Sequence, residues 1–189
     1  MKKRALALLF ILFILVASLL FSGCSKSPVG QAPVDQNKTL LGDESNLITT
    51  NLTLYFSDNQ AMYLMPESRQ IKIRKDASTE SMAEAIVNEL IAGPTDKKLI
   101  ATIPKETKLL SVKITDQVAN VDFSEEIRSK HPGGSTGELM TLNSLVDSLT
   151  ELNGIKKVQI LINGAKVDTL VGHADLSQPL NRDESIIKK

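Results

Sequence analysis

Residues 142–164, LNSLVDSLTELNGIKKVQILING, decide the fold because their hydrophobic period changes from that of a helix to that of a strand. The first half carries an apolar stripe at helical spacing, and Asn153-Gly154 predicts where that helix ends. Residues 158–162 are apolar on both faces except for Gln159, which predicts a central strand covered by helices. Asn163-Gly164 favours a tight hairpin into a last strand that runs to about residue 170. The helical stripe consists of Leu142, Leu145, Val146, Leu149 and Leu152.

An earlier helix is predicted between Thr79 and Gly93-Pro94, where apolar residues again recur at helical spacing. Ser81 and Glu84 have the spacing of a capping box at its start. Between the two helices, alternating apolar residues flank Asp116-Gln117, which predicts a β-hairpin with one apolar face. The helical residues are Ala83, Ile86, Val87, Leu90 and Ile91, and those of the hairpin are Leu110, Val112, Ile114, Ala119, Val121 and Phe123.

Strands are also predicted nearer the N-terminus. Leu52, Leu54 and Phe56 alternate with polar neighbours, as do Ile71 and Ile73, and a short strand is expected over residues 61–65. The order that follows, helix, strand, strand, helix, strand, is that of a split β-α-β arrangement. We therefore predict an α+β domain: a small mixed or antiparallel sheet with two helices on one face, plus an extra C-terminal hairpin. It should cover residues 51–180, followed by a tail at residues 181–189.

The N-terminus has the features of an export signal. Three cations, Lys2, Lys3 and Arg4, precede an apolar run over residues 5–21, which holds the N-terminus in the cytoplasm while the rest crosses the membrane. The run ends in Leu20-Phe21-Ser22-Gly23-Cys24, which resembles the lipobox of bacterial lipoproteins, with Phe21 where leucine is usual. The resemblance implies a signal peptide at residues 1–23 and a diacylated Cys24. An uncleaved anchor helix is the alternative, and it has the same topology.

Residues 24–50 are predicted to form a flexible tether. Ser, Pro, Gly, Gln, Asn and Asp dominate this stretch, and it has almost no apolar period. A flexible coil of this length spans about 25–30 Å. Since two acyl chains hold a protein on a bilayer where one barely does, we expect a lipid-anchored protein on the extracytoplasmic face of the cell membrane.

Composition excludes several classes of function. The chain has 1 cysteine, Cys24, so its lipidation leaves no disulfide, thiolate nucleophile or cysteine metal site. Cleavage after residue 23 removes three of the 22 Lys and Arg and none of the 22 Asp and Glu, leaving a net charge of −3. Nucleic acid is therefore not an expected partner, because binding phosphates needs a clustered basic face.

The segment Gly133-Gly134-Ser135-Thr136-Gly137 satisfies the G-x-S-x-G pattern of serine hydrolases. Its context is different, because Ser135 follows a Lys-His-Pro-Gly loop and not the end of a strand. Ser135 and Glu138 have capping-box spacing, so we predict that Ser135 caps the second helix and that the chain has no catalytic residue. The residues that follow in serine-hydrolase order are Asp147, Asp168 and His173.

Two further pairs are candidates for interaction or structure. His173 and Asp175 offer two metal ligands where zinc needs three or four, so we expect a hydrogen-bonded brace and no metal. Glu67 and Arg69 flank the turn expected after Met65-Pro66, where they would form a salt bridge or turn brace or recognise a ligand or partner. Aromatic residues make up 4% of the chain and Trp is absent, which gives little support to a stacking platform for sugars or bases.

Several short blocks stand in a fixed order along the chain: residues 64–69 (LMPESR), Gly93-Pro94, Ile103-Pro104, residues 107–112, residues 121–124 (VDFS), residues 158–164 and Gly172-His173-Ala174-Asp175. Together these blocks resemble the GerMN domain, which is named for a spore-germination lipoprotein of spore-forming bacteria. The resemblance implies a compact fold similar to ring-building modules of secretion and sporulation machinery, here in a single-domain form. It also implies a structural or interaction role, without enzymatic activity or cofactors.

Three functions remain open from the sequence. The leading one is a module of the cell envelope that binds other exported proteins or itself, in connection with sporulation or germination. The second is a lipoprotein that binds a small molecule or cell-wall fragment, using residues 131–137 with Gly172-His173-Ala174-Asp175. The third is a small serine hydrolase acting through Ser135.

Overall fold

The computed structural model describes residues 46–188, which belong to one compact unit, and it confirms the α+β class. The export signal, Cys24 and most of the tether lie outside the described residues. The helices are α1 (Thr79–Ala92), α2 (Glu126–Ser129) and α3 (Ser135–Leu149), with a 3-10 turn at Glu184–Ile186. The strands are β1 (Leu47–Ser57), β2 (Leu64–Arg74), β3 (Leu109–Thr115), β4 (Val118–Phe123), β5 (Lys157–Ile162), β6 (Ala165–Lys166) and β7 (Leu180–Asn181).

The strands form two sheets where the sequence predicts one. β1 and β2 make a two-stranded antiparallel ribbon. The larger sheet has the order β3-β4-β5-β6, with β4 and β5 parallel and β7 paired with the start of β5. The ribbon stays separate because a helix meets β1 where a further strand would pair: the Tyr55 amide donates to Ser148 Oγ at 3.0 Å, and Ser144 Oγ donates to the Tyr55 carbonyl at 2.5 Å.

Both predicted tight hairpins form. Asp116 and Gln117 have φ of 50° and 64°, and Asn163 and Gly164 have φ of 50° and 79°. Positive φ at both central residues matches the twist of paired strands. The predicted length of the last strand is wrong, however: β6 ends at Lys166, because Arg128 binds the carbonyls of Thr169 and Leu170 and holds the chain outside the ladder.

The strand predicted at residues 61–65 is also wrong. The Asp58 carboxylate accepts backbone N–H groups of Gln60, Met62 and Tyr63, and this turn joins β1 to β2. β2 begins at Leu64 and continues through Pro66, so no turn follows Met65-Pro66.

The helix caps differ from the predicted capping boxes. Ser78, and not Ser81, caps α1, since its side chain accepts the Ser81 N–H at 3.1 Å. Gly93 ends that helix with φ of 86°, as predicted. α3 follows Gly134, whose φ is 80°, and it has no side-chain cap, so the predicted capping role of Ser135 is wrong. α3 also ends at Leu149, before Asn153-Gly154.

A continuous apolar core joins the ribbon, the helices and the larger sheet. α1 and α3 contact each other and β1, while α1 also contacts β3 and α3 also contacts β5. The core forms because the apolar faces of these elements coincide in space. Its largest fully buried members include Phe56, Ile86, Leu90, Phe123, Leu145 and Ile160.

Ordered structure extends past both expected domain boundaries. β1 begins at Leu47, and beyond residue 180 the Lys188 amide donates to the Leu64 carbonyl at 2.9 Å. Within residues 46–188, no helix has the length and apolar character needed to cross a bilayer.

Candidate interaction site

Glu138 lies at the centre of the region that the sequence singles out. Its side chain is 0% exposed, and it projects from the first turn of α3 towards the loop 169–174. One carboxylate oxygen accepts the amides of Leu170 and Val171, each at 2.9 Å, and the Thr169 hydroxyl at 3.0 Å. The other accepts the amides of His173 at 2.9 Å and Ala174 at 3.3 Å. Glu138 therefore determines the position of this loop.

These contacts also set the protonation of Glu138. Burial on its own would raise the pKa of this carboxyl, because it disfavours the charged form. Hydrogen bonds from Val171, Thr169 and His173 favour the carboxylate more strongly, so its pKa lies below the ordinary value. The loop is therefore bound to an ionised carboxylate at neutral pH.

The structure separates the pair His173 and Asp175. His173 Nδ1 lies 3.2 Å from Glu138 Oε2, and its side chain is 45% exposed. Asp175 instead accepts the Ser177 amide at 2.9 Å, and the hydrogen bonds from Ser177 lower the pKa of this exposed carboxyl. Within residues 46–188, no group of three His, Cys, Asp or Glu side chains is placed to hold a metal ion.

His131 also braces the start of α3. Its Nδ1 accepts the Gly133 amide at 2.9 Å, and its Nε2 lies 2.9 Å from Thr141 Oγ1. Thr141 in turn donates to the Thr102 carbonyl at 2.5 Å. Burial lowers the pKa of His131, which keeps the ring neutral and suits this acceptor role for Nδ1.

Ser135 stands apart from the residues of the serine-hydrolase pattern. It is exposed at the start of α3, and no hydrogen bond joins it to another described side chain. His173 is bound to Glu138, and Asp147 is buried further along α3, where it accepts the Asp183 amide at 3.2 Å. A nucleophile needs a base within hydrogen-bond reach, and the described residues place none beside Ser135.

An open cleft of about 470 Å³ lies beside the loop that Glu138 holds. Arg128 and Lys166 supply positive charge to its wall and Asp168 supplies negative charge, while Val167 and residues 169–172 complete the lining. Arg128 already donates to the carbonyls of Thr169 at 3.2 Å and Leu170 at 3.1 Å. The cleft thus has a mixed polar and apolar wall and lies next to one of the two segments that the sequence offers as a candidate ligand site.

Glu67 and Arg69 belong to a second brace. Arg69 contacts Glu67 at 2.5 Å, the Gly93 carbonyl at 3.1 Å and the Glu89 carboxylate. Glu67 also accepts the amides of Thr95 at 2.9 Å and Asp96 at 2.9 Å. Burial is the largest single influence on Glu67 and would raise its pKa. Hydrogen bonds from Asp96, Arg69 and Thr95 together outweigh it, so the pKa of Glu67 is lowered. The pair connects β2 to the end of α1 and the loop after it.

A third cluster surrounds Arg182, which sequence reasoning missed. The guanidinium donates to the Asp147 carbonyl at 2.6 Å and to Tyr55 Oη at 3.0 Å, and it pairs with Glu151 at 2.9 Å. An arginine near a charged C-terminus carries no sequence signal for such a role. A signal did exist on α3, where Ser144 and Ser148 lie four residues apart and so share one face of a helix whose other buried positions are mostly apolar.

Comparison with known proteins places this arrangement in a family. The family model Germane, described as sporulation and spore germination, matches residues 53–168. The spore germination protein GerM of Bacillus subtilis is 27% identical over 177 residues, covering 84% of this chain and 46% of that protein. The chain thus spans about half the length of this curated relative.

Solved structures share the fold. A Clostridium perfringens protein described as a candidate lipoprotein has a TM-score of 0.52 and 28% identity, covering 76% of this chain and 93% of that chain. The first GerMN domain of Bacillus subtilis GerM has a TM-score of 0.53 and 25% identity, covering 70% of this chain and 98% of that domain. The tandem GerMN domains of the same protein have a TM-score of 0.58 and 24% identity, covering 85% of this chain and 58% of that chain. This chain is therefore a member of the Germane family and carries a GerMN domain.

Proposed function

We propose that this chain is a lipoprotein held by a lipid on Cys24 at the outer face of the cell membrane. Its GerMN domain would bind other envelope proteins or further copies of itself, in sporulation or germination, and would catalyse no reaction. The family match, the lipobox-like end of the apolar run and the likeness to a candidate lipoprotein support this proposal.

One observation carries the proposal: the charged side chains of the candidate site bind the domain's own backbone and side chains. Glu138 binds the loop 169–174, and Arg69 binds Glu67 and the end of α1. Catalytic groups need an open position beside a substrate, whereas these groups are already occupied. Their use as braces favours a rigid scaffold that presents surfaces to partners.

Membrane attachment is tested with Cys24→Ser in the full chain, with Ser25→Ala as the matched control. Loss of the acylated sulfur should leave the precursor uncleaved and remove the lipid-modified form, whereas Ser25→Ala should process normally. The readouts are precursor length on gels, labelling with a fatty-acid analogue, and membrane fractionation. Identical processing and labelling of Cys24→Ser would contradict the lipid anchor.

The interaction role is tested by crosslinking in intact cells, followed by recovery of the lipidated protein from membranes. We expect complexes with envelope proteins or higher-order forms of this chain. Recovery of monomer alone under several crosslinker lengths would contradict the interaction role.

A second candidate function rests on the cleft beside residues 169–172. Its volume of about 470 Å³ falls in the range of small-molecule sites, about 300–1,000 Å³. A bound cell-wall fragment would stabilise the fold by about 2.7 kcal/mol at a hundred times its Kd. A thermal shift that Lys166→Ala abolishes and Lys156→Ala retains would favour this function, and no shift with wall fragments would count against it.

A further inference from the structure

The ribbon exposes part of the β1 edge, and hydrogen bonds determine which residues face outward there. The Tyr55 amide and carbonyl bind Ser148 and Ser144, and the Ser57 carbonyl accepts the Ile100 amide. The backbone N–H and C=O groups of the odd-numbered residues of β1 therefore point away from β2. Backbone groups of alternate residues face the same edge. Leu47, Thr49, Asn51 and Thr53 therefore present unpaired backbone groups, because within the described residues β1 pairs with β2 alone along this stretch.

The two edges of the ribbon differ in their protection. Along β2 the even-numbered residues face outward, because the Leu64 carbonyl accepts the Lys188 amide. Pro66 is one of these outward-facing residues, and it has no N–H group to donate to an added strand. Lys72 and Arg74 place positive charge along the same edge. Proline and lysine are the residues that blunt an open edge. Residues 47–53, LITTNLT, carry neither charge nor proline.

The exposed β1 edge also carries apolar side chains. Leu47 and Ile48 are each 42% exposed. An uncharged strand edge with exposed apolar residues is a template for pairing with another strand. A second copy fits this edge without a charge penalty, because the strand is uncharged along its whole length.

We propose that two copies of this chain pair through antiparallel β1 edges about a two-fold axis at Thr50, joining the ribbons into a four-stranded sheet. This register places Thr49 opposite Asn51 of the second copy, with their outward backbone groups facing each other. It also places Ile48 opposite Leu52 of the second copy, on the same face of the joined sheet. An isologous contact of this kind closes on itself and gives a dimer.

The pairing rests on the proposed function in one respect, the lipid anchor. A contact of seven residues per strand is short, and copies attached to the same bilayer gain effective concentration without any new contact. The dimer is therefore expected among lipidated chains in membranes and is weaker for detached protein. Fractionation of Cys24→Ser reports the anchor separately from the crosslinking below.

The test is disulfide formation by Thr50→Cys in the full lipidated chain in membranes. At the axis the two Thr50 residues form a non-hydrogen-bonded pair with Cα atoms about 4.5 Å apart, which suits a disulfide. Mild oxidation should give a covalent dimer above the level of the native chain. The native chain, measured in parallel, shows whether any crosslinking occurs through a free Cys24 thiol, and the comparison is made on chains whose Cys24 is lipidated.

Three matched variants make the test specific. Thr53→Cys should not crosslink, because the two copies of residue 53 lie about 20 Å apart along the strands. Gln70→Cys, on the opposite edge of the ribbon, should not crosslink either. Adding Asn51→Lys to Thr50→Cys should reduce the dimer about fivefold through like charges on neighbouring strands, whereas Gln70→Lys, at the residue paired with Asn51, should leave it unchanged.

The register is overturned if Thr50→Cys gives no dimer above the native chain. It is equally overturned if Thr53→Cys or Gln70→Cys crosslinks as well as Thr50→Cys. Circular dichroism of each variant verifies that the fold is intact, and the exposed, solvent-side positions of Asn51 and Gln70 make both lysine variants compatible with it.

Discussion

At the scale of single residues, two buried carboxylates on α3 have opposite environments. Glu138 receives backbone amides from the loop 169–174, and its pKa is lowered. Asp147 is also 0% exposed, but its Oδ2 has no hydrogen-bond partner in the structure. Burial raises the pKa of Asp147 to about 6. The first carboxylate stabilises the fold when charged, whereas the second destabilises it.

Glu138→Gln should destabilise the domain by about 2–4 kcal/mol, because a charged acceptor is lost and an amide NH₂ faces the donors of the loop. Urea unfolding of the domain at pH 7 measures the change. Glu106→Gln, at an exposed site, is the matched control and should lie within about 0.5 kcal/mol of the native chain. An equal stability of both variants would mean that Glu138 does not hold the loop.

Asp147→Asn should stabilise the domain at pH 7–8 and have little effect at pH 4. The pKa of aspartate is 3.8 in the unfolded chain, and that of Asp147 in the folded domain is about 6. The native chain therefore has its full free energy of unfolding below pH 3.8, and this free energy falls as the pH rises to about 6 and Asp147 loses its proton. Above pH 6 the gain in Asp147→Asn should level off at about 1–3 kcal/mol.

The measurement is the melting temperature of both proteins between pH 4 and pH 8. The groups facing Asp147 are Arg182, Asp183 and Glu184 of the C-terminal segment. A pH-independent difference between the two proteins would contradict the raised pKa of Asp147.

At the scale of elements, two serines connect a helix to a strand edge. Ser144 and Ser148 are each 0% exposed, and they bind the carbonyl and amide of Tyr55. A buried backbone group without a partner costs free energy comparable to a lost hydrogen bond. The two serine hydroxyls therefore occupy the backbone groups of Tyr55 that another strand would otherwise bind, and α3 packs against this part of the β1 edge.

Ser148→Ala should destabilise the domain by about 1–3 kcal/mol, because the buried Tyr55 amide loses its acceptor. Hydrogen exchange should quicken at Tyr55 more than at Leu145 in the middle of α3. Thr136→Ala, at an exposed position of the same helix, is the control and should leave exchange at Tyr55 unchanged. Unchanged exchange in Ser148→Ala would show that the serine is not the acceptor that protects this amide.

At the scale of the whole molecule, the segment after residue 180 closes the fold. Arg182 joins α3, Tyr55 and Glu151, and the Lys188 amide binds Leu64 at the start of β2. This segment also lies over a small apolar cluster of Tyr55, Leu64 and Met140, to which Ile186 and Ile187 add contacts. The family match ends at residue 168, so this segment lies beyond it although its partners lie within it.

Deleting residues 181–189 should destabilise the domain by about 3–5 kcal/mol, because hydrogen bonds to charged groups are worth about 1.5–3 kcal/mol each. Arg182→Ala in the full chain should cause about half of that loss. The midpoint of urea unfolding measures both. If the truncated domain is as stable as the full chain, residues 181–189 do not stabilise the fold and form only a C-terminal tail.

Local signals in the sequence were sufficient for the two long helices and the two tight hairpins, but not for the turn that joins β1 to β2 or for the end of β6. Gly93, Asp116-Gln117 and Asn163-Gly164 mark ends and hairpins because positive φ is restricted to few residue types. The apolar stripes of α1 and α3 likewise identify the faces that enter the core, since a helix buries its periodic apolar residues. The resemblance to the GerMN domain, carried by short blocks such as LMPESR, is confirmed by the family match.

Only the tertiary structure decided which polar groups far apart in the chain meet. Glu138 has the spacing of a helix cap, yet its carboxylate accepts hydrogen bonds from amides more than thirty residues away. Ser148 likewise accepts the amide of Tyr55, 93 residues away. Spacing along a chain specifies partners within a turn or two, whereas a buried polar group binds whichever donors the packed core brings to it. The separate ribbon, its open β1 edge and the closing C-terminal segment follow from those long-range contacts.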